Sequence, residues 1–73
     1  MDAQNRIEGV EARIAGVEAR IESLEQEVRE AKAKGDREEV AALRVKEQQL
    51  RAEKQQLRDE KLLLMRALIS KGN

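Results

Sequence analysis

Few side chains in this sequence have chemistry to offer. The 73 residues include no histidine, cysteine or tyrosine, and the only hydroxyls are Ser23 and Ser70. Neither serine has a base and an orienting group in any recognisable pattern, so nucleophilic and acid–base catalysis are not expected. Glu18, Glu22 and Glu25 are spaced to share one helix face, where carboxylates could hold a hard cation. The same spacing is routine on a charged helix surface, and no metal site is expected from it. Arg37, Arg44, Arg51 and Arg58 recur every seven residues and could line up along a phosphate backbone. Such a patch normally leaves excess positive charge and is interleaved with rings that stack on bases. Here the formal net charge is zero and aromatic residues are absent. Nucleic-acid binding is therefore not favoured, and neither an enzyme, a cofactor nor a small-molecule substrate is expected.

The elements that would carry these residues are helices. Charged residues make up 41% of the chain, proline is missing, and the apolar set is almost wholly Leu, Ile, Val and Ala. That composition belongs to coiled coils and long helices. A chain this short rarely draws more than ~3–5 kcal/mol from a single core. With no cysteine for a disulfide or zinc site, regular helix packing or oligomerisation is what remains. The opening residues lack the apolar core of a signal peptide. The longest apolar-rich run, "LLLMRALI" at 62–69, contains Arg66 and is too short to span a bilayer. An intracellular, cytoplasmic setting without membrane attachment is the expectation.

Written in sevens from Ile7, the first half reads IEGVEAR, IAGVEAR, IESLEQE, VREAKAK. The a positions are Ile7, Ile14, Ile21 and Val28, and the d positions Val10, Val17, Leu24 and Ala31. An unbroken 3.5-residue repeat predicts a coiled-coil helix with left-handed supercoil. The outer positions hold Gly9, Ala12, Gly16, Ala19 and Ser23, which fit a solvated back better than a face for close helix approach. In the second half leucine recurs at Leu43, Leu50, Leu57 and Leu64, with Val40, Glu47, Lys54, Lys61 and Leu68 between them in the seam. Three polar seam residues would weaken a parallel self-pairing of this half.

Between the halves lies Gly35-Asp36, and the twelve residues from Ala31 to Leu43 break the heptad frame. Glycine suits the left-handed residue that closes a helix, with Lys32 and Lys34 in the last turn. Asp36 suits the N-cap of a new helix, with Glu39 placed as in a capping box. The prediction is an all-α, antiparallel helical hairpin forming one module: helix 3–34, turn 35–36, helix 37–70. A kinked continuous rod and a parallel dimer of the first helix are the competing shapes.

Arithmetic supports the hairpin. With facing positions summing to 71, Ile7 meets Leu64, Ile14 meets Leu57, Ile21 meets Leu50 and Val28 meets Leu43. On one flank Glu11, Glu18 and Glu25 face Arg58, Arg51 and Arg44; on the other, Arg13, Arg20 and Glu27 face Glu60, Glu53 and Lys46. Residues 1–36 carry net −3 and residues 37–73 net +3, which suits two halves built for each other. A parallel dimer would waste this match and leave Lys and Glu in the second helix's seam.

One stretch is too apolar for a two-helix hairpin. Leu64 and Leu68 belong to the seam, yet Leu62, Met65 and Ile69 form a second stripe and Leu63 points elsewhere again. Apolar residues around a helix imply that something surrounds it. They are expected to form a partner interface, after which Ser70-Lys71-Gly72-Asn73 reads as a frayed stop. "GDREEVAALRVKEQQLRAEKQQLRDEKLLLMR" resembles the helical spacers of large oomycete and fungal proteins, including Crinkler-type effectors, over residues 22–66. That resemblance implies an intracellular spacer or oligomerisation module and carries no functional residues across; no effector signature accompanies it. The expected role is a homodimer pairing hairpins into a four-helix arrangement. Docking of a different helical protein through 62–69, or a nucleic-acid-associated helix pair, are the alternatives.

Overall fold

The computed structural model describes residues 2–72, with side chains for 2–70. Two helices fill it: α1, Asp2–Lys34, and α2, Arg37–Gly72. They fold back on each other as an antiparallel hairpin 57 Å long, so the kinked rod and the parallel pairing of α1 are set aside. Helix α2 runs through Gly72, two residues beyond the expected end; Asn73 lies outside the described residues.

The turn is closed by backbone geometry at both helix ends. Gly35 adopts φ 74°, and its N–H donates to the Lys32 carbonyl at 3.0 Å. The Asp36 N–H donates to the Ala31 carbonyl, also at 3.0 Å. These two bonds form the Schellman closure, which satisfies carbonyls left over at the end of α1. Asp36 then starts α2: its carbonyl accepts from Val40 N–H at 3.1 Å, and its Oδ1 accepts from Glu39 N–H at 3.1 Å. The expected capping box is therefore only half used. The Asp36 N–H that Glu39 would have reached is already committed to Ala31.

The seam buries Val10, Val17, Ile21, Val28 and Ala31 from α1 and Leu43 and Leu57 from α2. Ile7, Ile14, Leu24, Leu50, Leu64 and Leu68, expected in the same core, are half-buried. Two helices can cover each other along only one stripe, so many seam residues keep an edge in water. The core divides in two. Val10, Val17, Ile21 and Leu57 pack with Ile14, Leu50 and Leu64, while Val28, Ala31 and Leu43 pack with Leu24 and Val40. The division falls where Glu47 enters the seam at the level of Leu24. At the back of α1, a Cβ added to Gly9 or Gly16 would meet nothing within 4 Å. Within the hairpin nothing requires these two residues to be small.

Candidate docking surface

The two flanks of the seam differ. One is laced by ion pairs: Lys54 Nζ lies 3.1 Å from Glu18 Oε2, and Lys61 Nζ lies 2.9 Å from Glu11 Oε2. On the same flank, Arg51 Nη2 reaches Glu25 Oε2 at 3.0 Å and Glu47 Oε2 at 2.7 Å. The guanidinium hydrogen-bonded to Glu47 holds its carboxyl below the usual glutamate value, and the carboxylate raises Arg51 in return.

These are not the partners that the facing-position arithmetic paired. Glu18 takes Lys54 rather than Arg51, Glu11 takes Lys61 rather than Arg58, and Glu25 takes Arg51 rather than Arg44. The reason is the tilt of helical side chains toward their own N-terminus. In an antiparallel pair, α1 side chains lean toward the open end and α2 side chains toward the turn. On this flank the paired α1 member sits nearer the turn than its partner, so the two charges converge, whereas Glu18 and Arg51 lean apart; Arg13 with Glu60 and Arg20 with Glu53 stand in the same order on the other flank without a close pair, so the tilt accounts for the partners on this flank alone. The seam lysines meet the condition. Their stems lie over the apolar stripe and their ammonium groups leave it beside a glutamate.

On the opposite flank, Arg20, Glu27, Lys46 and Glu53 rim an open groove beside Leu24 and Leu50. Closer to the chain ends, Arg13 and Glu60 rim a second groove with Val10, Leu63 and Leu64. None of these charges is drawn into a close ion pair among the described residues.

The open end is where apolar surface gathers. Leu62, Leu63, Met65 and Ile69 are 48%, 64%, 42% and 67% exposed. Met65 and Ile69 border a groove with Ile7, Leu68, Glu8 and Glu11; Leu62 and Met65 border another with Ile14, Arg58 and Lys61. Leu63 faces the other flank, beside Gly9. Two helical turns thus present apolar side chains in two directions that α1 does not cover. Val45 is a further large exposed apolar residue, 53% exposed and remote from this group. Nothing in the heptad reading had singled it out, and a solitary exposed valine is ordinary on a protein surface.

The remaining chemistry is sparse. Among the described residues, no three acidic side chains are grouped to hold a metal ion. Glu18 and Glu25 each turn to a basic partner, which removes them from a shared site with Glu22. Arg51, central in the arginine row, is engaged by two carboxylates. Among the described residues, no helix is long and apolar enough to cross a membrane. In comparisons with family models, curated proteins and solved structures, the chain matches none.

Proposed function

We propose that this hairpin is a non-enzymatic interaction module that self-associates, as a homodimer, through helix packing at its open end. The carrying observation is the exposure of Leu62, Leu63, Met65 and Ile69 within two turns of α2. Covering such side chains is worth ~1.5–3 kcal/mol each as an upper bound, more than an exposed ion pair supplies. The heptad seam makes the pair of helices a coiled coil in this reading. An intracellular, cytoplasmic setting fits a chain without cysteine. Its heptads also keep it in the class of the helical spacers that its second half resembles.

The test is mass by light scattering across a concentration range, for the parent chain and for Leu62→Glu, Met65→Lys, Ile69→Glu combined. The parent is expected to dimerise as concentration rises. The variant should remain monomeric and keep much of its helical signal, because the turn and seam are untouched. A variant with the parent's mass and stability would remove the open end as an interface. Docking of a different helical protein on the same four residues is the second reading.

A further inference from the structure

The charges that the hairpin leaves without a close partner are ordered. On the flank away from Arg51 and Lys54, α1 presents Arg13, Arg20 and Glu27, and α2 presents Glu60, Glu53 and Lys46. None of the six makes a close ion pair among the described residues. Between the two rims lie the half-buried Leu24, Leu50 and Leu64, together with Leu63, which is 64% exposed. The stripe of Leu62, Met65 and Ile69 borders the other flank, so this surface goes beyond the open-end contact proposed above.

Two hairpins can stack on this flank about a twofold axis in two ways. With turns apart, each helix lies along its own copy. Positions of α1 summing to 47 then pair Arg20 with Glu27 but set Arg13 on Lys34. Positions of α2 summing to 99 pair Lys46 with Glu53 but set Glu39 on Glu60, so half of these contacts repel. With turns together, the axis runs along the hairpin and α1 lies on α2 of the second copy. Such an axis allows no sliding, so the register is that of the hairpin itself. Arg13 then stands by Glu60, Arg20 by Glu53, Glu27 by Lys46 and Lys34 by Glu39 of the second copy, at a constant sum of 73. None of these contacts repels, and symmetry makes each of them twice. The outer edge matches in size as well. Leu63, Gln56 and Gln49 come beside Gly9, Gly16 and Ser23 of the second copy, a long side chain against a small one each time. Gly9 and Gly16 are the two residues that nothing within the hairpin requires to be small.

We infer that two copies pack side by side through this flank, turns together, as a four-helix bundle in which every neighbouring pair of helices is antiparallel. Leu24 and Leu50 of both copies face the contact. The hairpin offers a face 57 Å by 14 Å, roughly the ~800 Å² that each partner gives to a standard interface. Its charges select orientation more than they supply strength. The contact is therefore weaker than the open-end one and forms at higher concentration.

Charge reversal on the full chain separates the cases. One variant carries Arg20→Glu with Glu27→Lys, the other Lys46→Glu with Glu53→Lys. Both leave the seam intact, which the helical circular dichroism signal checks. Each variant alone sets like charges across the contact, whereas the mixed dimer of the two attracts at every reversed position. Mass by light scattering is followed up to the highest soluble concentration. Each variant is expected to stop one doubling short of the parent, and the equimolar mixture to regain the parent's mass. Variants that match the parent's mass alone would overturn the turns-together contact and leave the open end standing, since with turns apart the reversed pairs still attract. A mixture no heavier than its components would overturn it too, because the pairs would then act within one chain. A parent that stays monomeric would overturn both contacts.

Discussion

The turn end and the open end are built from the same helices but secured to different degrees. At the turn, Ala31, Val28 and Leu43 are buried, 2–8% exposed, and the backbone groups of 31, 32, 35 and 36 are satisfied by one another. At the open end Ile7, Leu64 and Leu68 are half-buried and Leu62, Leu63, Met65 and Ile69 lie in water. What separates them is not hydrophobicity, since the open end is the richer in leucine. It is how many directions the apolar residues take: one stripe needs one neighbour, and three stripes need more than a hairpin contains.

Breaking this contrast takes paired substitutions. Leu57 is 7% exposed and packs with Val10, Val17 and Ile21, so Leu57→Ala should cost the hairpin ~2–5 kcal/mol in denaturant unfolding. Leu62→Ala, measured at concentrations where the chain is monomeric, should cost ~0.5 kcal/mol or less. Equal losses would mean that the second stripe is covered within one chain. Smaller in effect is the turn. Gly35→Ala with Asp36→Ala forces a left-handed alanine and deletes the cap, together ~1–3 kcal/mol. A Cβ at Gly35 meets nothing within 4 Å, so the cost is conformational rather than steric crowding by neighbours. Longer assemblies with exchanged arms should follow, seen as added mass. An unchanged mass and melting temperature would show that another feature closes the hairpin.

The smallest effect concerns acid. Glu47 is held ionised by Arg51, with its folded value below the ordinary one. Its stabilising contribution is therefore complete above the unfolded value and disappears as pH falls through the folded value. Melting curves of the parent and Glu47→Gln should differ by a constant amount near neutral pH and converge in the acid range below the usual glutamate value. Curves that stay parallel there would remove Glu47 as the source.

The seam and the turn were legible because each rests on local rules that agree. Ile7 to Ala31 repeat without a break, Leu43 to Leu64 repeat again, and Gly35-Asp36 supplies a stop and a start in two residues. The ion pairs were not legible from facing positions. That arithmetic treats each side chain as a point at the height of its Cα, whereas Glu18, Arg51 and Lys54 reach a turn away in directions set by the tilt of Cα–Cβ. Glu47 was expected only as a polar residue in the seam. It lies in the seam but bonds within its own helix to Arg51, and it divides the core there. The exposed face of residues 62–69 was legible as a surplus of apolar stripes, and the sequence carries no feature that names what covers it.

The two-residue connection also sets the order in which the molecule can assemble. Ala31 and Val40 are nine positions apart, so the first layer closes the shortest possible loop, at the lowest entropic cost. Each further layer adds three or four residues to each helix of a structure already pinned, so closure proceeds like a zipper drawn from Gly35 outward. Contacts formed this way have short effective separations, the condition for fast folding. The layer of Ile7, Leu64 and Leu68 is the last to close and the first to open. The exposed apolar residues 62–69 therefore lie at the part of the zipper that moves most readily, and any partner of the kind proposed above would hold it shut.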